Sequence, residues 1–394
     1  MGRHSFQRNP LLAALTTPVA GALWRPPSAT AAVPVVPPPR ETPEARLPPE
    51  QPHEIITMPG RPLVLVSHRS NSVLVKLWLD QDTGQVAGVG AFPLGLPAGM
   101  LHGLAPSSRY PGMIWATQEA DNALLLVDPG SDQAGTRPRI VRSIDIPGGG
   151  RGPHCVGEYG DLLWVTLRGS GQVLAVNHTD PQQFWLYQVK SRPILVARHP
   201  DTGEFYASQD GASGILRINF ETRTTSHIRA PAARGRNPLG LVAGPDGLWV
   251  VPRGTAQRGA GTFGRVNGDG EITWFRLASP EGRRARLLHI AFGPPLAQRQ
   301  PSAWLLRSST VSPNTVDAIV HVTFDETYTR LLTEEVVALP TQLCKPHRLL
   351  PPSENVLDTE FTSATVAQLV AEDGWRWVRP AAPDLREAGL PRLA

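Results

Sequence analysis

The sequence predicts an all-β chain folded as a seven-bladed β-propeller of four-stranded blades, and three observations predict it. One short unit recurs seven times along the 394 residues: an anchor pair, an apolar run, a Gly-containing turn, a second apolar run that often carries Trp, and a polar residue. Successive anchors, at positions 53, 102, 154, 194, 239, 289 and 347, lie 49, 52, 40, 45, 50 and 58 residues apart, the length of a propeller blade. No stretch of helical period competes with the strand-like runs between them.

The unit is clearest at positions 152–168, where Pro153-His154-Cys155-Val156 leads into a turn at Gly160 and then Leu162-Leu163-Trp164-Val165-Thr166. Two such runs joined by a tight turn make a β-hairpin, which sets the start of its first strand beside the end of its second. His154 and Arg168 are therefore expected to be neighbours. Second strands are expected at Leu63–Val66, Met113–Thr117, Leu162–Thr166, Glu204–Ser208, Leu248–Val251, Ala303–Leu306 and Asn355–Thr359. Third strands follow, for example at Ala123–Asp128 and Gln172–Asn177, and a fourth is plain at 270–275. A closed ring protects strand edges that an open row of hairpins would leave bare, so residues 53–380 are read as one propeller. Two ways of sealing it stay open: Trp375–Val378 completes the last blade, or a strand from the N-terminal extension does.

The ends differ in composition. Residues 1–32 read as a signal or targeting segment, with Arg3, His4 and Arg8 before an apolar run from Leu11 to Leu23 and a small-residue site at Ala29-Thr30-Ala31. The expected location is secreted, periplasmic or extracellular, with a mitochondrial-type leader or an unordered extension as alternatives. Residues 33–52 form a Pro-rich linker and 381–394 a polar tail. No apolar run reaches the roughly 18–20 residues that span a bilayer, so no membrane span is expected. Net charge is +4 and comes almost wholly from Arg, the lysines being Lys76, Lys190 and Lys345. Only 282–286 approaches a basic cluster, which argues against nucleic acid. Cys155 and Cys344 are too few for a disulfide framework and fall in blades three and seven, so both are expected as free thiols. Phosphate-cradling Gly loops, a Gly-x-Ser-x-Gly elbow and a His-Glu-x-x-His pair are all missing.

Candidate chemistry sits at the anchors. Five of the seven are His (His53, His102, His154, His289 and His347), although the chain has 11 His in all. First strands of a propeller line its central channel, so these imidazoles are expected around one mouth. The residues ending the second strands, His68, Glu119, Arg168, Asp210, Arg253, Arg307 and Glu360, are expected to reach the same rim. One reading is structural: a repeated His fills space above a turn and bonds a neighbouring carbonyl. The other is functional, with His347, Glu360 and His289 as the centre of proton transfer or divalent-ion binding. His53, His102, Glu119, His154, Arg168, Arg253 and Lys345 would then contact substrate. The Arg residues admit blade-to-blade ion pairing or the clamping of an anionic, carbonyl-rich ligand.

Pro153-His154 through Trp164-Val165-Thr166, Trp115-Ala116-Thr117-Gln118-Glu119 and Asn237-Pro238-Leu239-Gly240 through Leu248-Trp249-Val250 resemble the blades of the streptogramin B lyase (virginiamycin B lyase) family. The resemblance implies a carbon–oxygen lyase that opens a cyclic depsipeptide by elimination: a His removes the proton α to the ester carbonyl while Mg2+, held by His and Glu near the last blades, steadies the enolate. Carried over by motif, the family's His and Glu correspond to His289, His347 and Glu360, with His347 and Glu360 on the metal. Lys345 stands where the family has a carboxylate, which opposes a cation there. The expected partner is a small molecule or peptide at the channel mouth of a monomer. The alternatives are a non-catalytic propeller that binds peptide or glycan, and a lactonase-type hydrolase.

Overall fold

A computed structural model describes residues 50–132, 136–254, 258–293, 300–353, 355–371 and 375–378. The expected targeting segment, all but the end of the Pro-rich linker, and the C-terminal tail lie outside them. The described residues form seven four-stranded antiparallel sheets, each built from four consecutive strands. They span 52–93, 101–145, 153–188, 192–229, 236–276, 287–338 and 346–378, so the expected seven blades of four strands are present.

Apolar alternation explains why the sheets stack as a ring. The second strands are buried on both faces, as in Leu63–His68 and Val356–Glu360, where every residue is buried. The outermost strands, such as Thr224–Arg229, are largely exposed and polar. Seven apolar clusters result, one at each junction of neighbouring blades. Trp249, Phe263 and Phe275 of blade five, for instance, pack on Ile290, Leu305 and Val320 of blade six. The junction of blades seven and one is made in the same way, by Leu357 against Ile55, Val64 and Val66.

Each blade carries the same irregularity at its anchor. In blade one Pro52 pairs with His68 and Ile55 with Val66, so His53 and Glu54 together face the single residue Ser67. The same shift recurs at Leu101/Leu104, Pro153/Val156, Pro193/Val196 and Pro346/Leu349, and it falls on Leu239 in blade five and on Leu288 in blade six. One extra residue on one strand is a β-bulge, which bends the strand and re-aims a side chain.

Of the two ways of sealing the ring, the structure uses the first in backbone terms: Trp375–Val378 pairs with Thr365–Ala371 as the fourth strand of blade seven. Blades seven and one meet through side chains. The Arg348 Nε lies 3.2 Å from both Glu54 oxygens, Asn355 Nδ2 donates to Thr83 O at 2.9 Å, and Gln368 spans Gly84 O and the Val86 N–H. Because Arg348 is buried, removing its partner strands a charge. Glu54→Ala is expected to lower unfolding free energy by on the order of 3 kcal/mol, read by denaturant titration.

Asp358, fully buried in the same blade, has no hydrogen-bond partner on either oxygen. Burial, then the nearby Glu360 and Asp317, push its pKa well above the usual carboxylate range. A raised acid contributes stability that is complete below the unfolded value near 4 and is lost as pH rises toward the folded value. Asp358→Asn is therefore expected to raise Tm by a few degrees at pH 7 and to leave it unchanged at pH 4, as scanning calorimetry at the two pH values would show.

Candidate functional site

The bulge frees a backbone N–H, and a buried hydroxyl takes it up. Ser67, Thr117, Thr166, Ser208 and Thr359 each face a bulge and accept the N–H of the residue after the anchor: Glu54, Gly103, Cys155, Leu195 and Arg348. Each hydroxyl then donates to the anchor carbonyl of the next blade, namely His102, His154, Ile194, Leu239 and, across the ring closure, His53. One side chain thus fixes two anchors at once. Val251 and Leu306 occupy this place in blades five and six and provide no hydroxyl. The junctions are also tight: a Cβ on Gly103 would sit 2.6 Å from His154 O.

Anchors held in this way ring a cavity of about 390 Å³. Its wall has two halves. His347, His53, His102 and His154 come from blades seven, one, two and three, while Ile194, Leu239 and Leu288 hold the same position in blades four, five and six. Above them stand Arg69, Arg168, Asp210, Arg253, Val311 and Phe361, and Arg348 joins from blade seven.

Four expected positions, three second-strand ends and one anchor, are out by one residue. His68 and Glu360 pair with Pro52 and Pro346 inside the sheet, both fully buried, and the rim places belong to Arg69 and Phe361. In blade six Leu287 pairs with Arg307, so Leu288 takes the channel position expected of His289. The His289 ring turns into the junction with blade seven, where its Nδ1 accepts the Leu349 N–H at 3.3 Å. Arg307 is likewise buried. A strand has period two, so a slip of one moves a side chain to the other face. The expected neighbours His154 and Arg168 do flank one hairpin end, where the Arg168 N–H donates to Gly152 O.

The four channel imidazoles are in contact. Ring centroids are 4.2 Å apart for His347 and His53, 3.7 Å for His53 and His102, and 3.7 Å for His102 and His154. Burial, aided by one another's charge and by Arg348, Arg168 and Arg69, holds His53, His102 and His154 well below the usual imidazole range. His347 is pushed down to about 3, again by burial first and then by Arg348, with an opposing backbone hydrogen bond to Lys345. All four are neutral at pH 7. The Nδ1 atoms of His53, His154 and His347 have no hydrogen-bond partner, and that of His102 lies 2.9 Å from His154 O.

Glu119 sits at the edge of this cluster, 3.4 Å from Arg69 and 3.6 Å from Arg168. Arg253 donates to Val311 O at 2.9 Å, and Asp210 pairs with Arg192 at 2.7 Å. Four arginines against one lining carboxylate make the mouth electropositive. Glu360, in contrast, gives Oε2 to the Ser363 and Thr365 hydroxyls and does not line the cavity. Lys345 (φ +52°) donates its backbone N–H to Ser309, also away from the cavity wall. His347 and Glu360 therefore do not fit the Mg2+ pair that the resemblance implies, and no step is drawn through that ion. Both cysteines are free, with burial pushing Cys155 up to about 11 and Cys344 higher still. No helix among the described residues is long and apolar enough to cross a membrane.

With blades, bulges and channel in place, comparison with solved structures is decisive for the architecture. The fold is that of virginiamycin B lyase. The enzyme from Staphylococcus aureus superposes with a TM-score of 0.59 at 18% identity, covering 79% of this chain and 92% of that one. A streptogramin B lyase gives 0.61 at 20% identity, covering 82% and 94%. A Bacteroides uniformis protein assigned as a 6-phosphogluconolactonase gives 0.56 at 14%, covering 78% and 91%. Identities this low establish a shared fold and nothing finer. No protein-family model matches the sequence, and none of the curated proteins does.

Depressed imidazoles tie stability to pH. A lowered base contributes stability that is present above its unfolded pKa, near 6.5, and is lost as pH falls toward the folded value, about 3 for His347. In metal-free buffer Tm should decline steadily below pH 6.5, and His53→Gln should flatten that slope, as thermal melts across pH 4–7 would show.

Proposed function

We propose that this protein is an exported small-molecule enzyme of the carbon–oxygen lyase type, acting at the channel mouth on a compound that joins an anionic or carbonyl-rich end to an apolar body. The carrying observation is the divided ring of anchors in one cavity: neutral imidazoles with Arg69, Arg168 and Arg348 on one side, Ile194, Leu239 and Leu288 with Asp210 and Arg253 on the other. About 390 Å³ suits a small ligand, since such pockets run from roughly 300 to 1,000 Å³.

His347 is the proposed base. It lines the cavity and is neutral at working pH, and its Nδ1, buried and without a hydrogen-bond partner, would reach a substrate by a turn of the ring. Its lone pair would take the proton α to a carbonyl; the released electron pair forms a C=C bond as the C–O bond to a leaving carboxylate breaks. Negative charge gathers on the carbonyl oxygen along the way, and Arg348 and Arg253 supply fixed positive charge at the cavity wall. A pKa near 3 makes a resting imidazole a weak base, and an anionic substrate seated beside it would raise that value. His289 and Glu360, away from the cavity wall, have positioning roles in this reading: His289 through the Leu349 N–H and Glu360 through the Ser363–Thr365 turn.

The test is a screen of cyclic depsipeptides and lactones with wild type beside His347→Ala. Turnover by wild type that falls on the order of 10²- to 10⁴-fold in the variant is expected. Equal turnover by both removes His347 as base, and a ligand that binds without being consumed favours the non-catalytic binding module instead.

A further inference from the structure

We propose a transition-metal site of Zn2+ type at His102, His154 and Glu119, on blades two and three. It stands apart from the elimination chemistry above, because it uses other residues and is read by binding alone. These side chains are the group of three His, Cys, Asp or Glu residues, among the described ones, whose donor atoms come together tightly enough to share an ion, all within 4.8 Å of one another. Glu119 Oε2 lies 3.9 Å from His102 Nε2 and 3.7 Å from His154 Nδ1.

Those separations are too long for hydrogen bonds. They are slightly longer than the about 3.3 Å between donors that sit 2.0–2.1 Å from a tetrahedral ion. An ion would close the gap by a few tenths of an ångström. The donors are also prepared for it. His102 Nδ1 lies 2.9 Å from the His154 carbonyl, so its proton is held there and the Nε2 lone pair is left for the ion. Both rings are more than nine-tenths buried, and His154 Nδ1 has no hydrogen-bond partner. The His53 ring follows, its centroid 3.7 Å from that of His102 and its Nδ1 also without a partner. His102 and His154 line the cavity, which leaves one side of the ion open to a ligand.

Two imidazoles and one carboxylate select Zn2+ or Co2+ over Mg2+ or Ca2+, which prefer all-oxygen shells. Arg69, 3.4 Å from the shared oxygen, and Arg168, 3.6 Å from the other, oppose a cation but also brace the carboxylate. The site differs from the pair His347 and Glu360, whose carboxylate is buried off the cavity wall with its Oε2 on two hydroxyls.

Untagged full-length protein, stripped with chelator, is titrated with Co2+ and followed by visible absorption and calorimetry. One equivalent is expected, with d–d bands of low coordination number, displaced by Zn2+ and not by millimolar Mg2+. Glu119→Gln and His154→Ala should each weaken binding at least tenfold, and His227→Ala, on an outer strand, should not. Folding of each variant is checked by circular dichroism, and if His154→Ala does not fold, the near-isosteric Glu119→Gln decides. Folded wild type that binds no Co2+, unchanged affinity in folded Glu119→Gln, or equal loss in His227→Ala overturns the proposal.

Discussion

Everything at the channel mouth depends on a hydroxyl placed opposite a bulge. A bulge re-aims the anchor side chain into the channel but leaves a backbone N–H without its ladder partner, and an unpaired buried N–H is costly. Ser67, Thr117, Thr166, Ser208 and Thr359 accept that N–H and pass their own proton to the next blade's anchor carbonyl. Each such bond is worth only about 1 kcal/mol, yet each one sets the position of two anchors relative to each other. The contact spacing of four imidazoles from four separate sheets is the consequence. Without the hydroxyls the rings would lie on independently drifting strands.

Neutrality of those rings is the second constraint. Four imidazolium ions with centroids about 4 Å apart could not coexist in a buried site, so packing the rings together and depressing their pKa values are one event. Positive charge at the mouth is therefore carried by Arg69, Arg168, Arg253 and Arg348, which keep it at any working pH, while the imidazoles keep their lone pairs. The division suits proton abstraction and metal ligation alike, since both need imidazole nitrogen free of its second proton.

Blade number, strand count and the convergence of His53, His102, His154 and His347 were legible because a repeated unit of two strands and a turn leaves a period that needs no partner to detect. What was not legible is the register within a unit. His68 and Arg69 are adjacent polar residues at the end of the same strand, and only the pairing of Pro52 with His68 decides which one faces the channel. Glu360 and Phe361 pose the same problem, where chemistry favoured the carboxylate and geometry chose the aromatic ring. In blade six a Leu precedes a His, and the bulge placed Leu288 on the channel. A usable sign was in the sequence: the clasping Ser or Thr stands two residues before the rim position, so Ser67 points to Arg69 and Thr359 to Phe361. Arg348 was missed for another reason. It follows the anchor, a place held by Glu, Gly, Cys, Leu or His in other blades, and it reaches the cavity while closing the ring on Glu54.

The two blades without a clasp leave two anchor carbonyls to be held in some other way. Val251 and Leu306 cannot fix the anchor carbonyls of Leu288 and His347. At His347 the deficit is met by Arg348, whose Nη1 donates to the His347 carbonyl at 3.2 Å. That arginine is buried and held by Glu54, so the His347 carbonyl is held from the ring closure, while the preceding blade holds its neighbours through Ser308 on the Pro346 carbonyl and His289 on the Leu349 N–H. The polar arc thus begins where the chain's two ends meet and runs toward blade three, with Ile194, Leu239 and Leu288 completing the circle. A ligand of the kind proposed would set its charged or carbonyl end over the histidines near the closure and its apolar body against Ile194, Leu239 and Leu288.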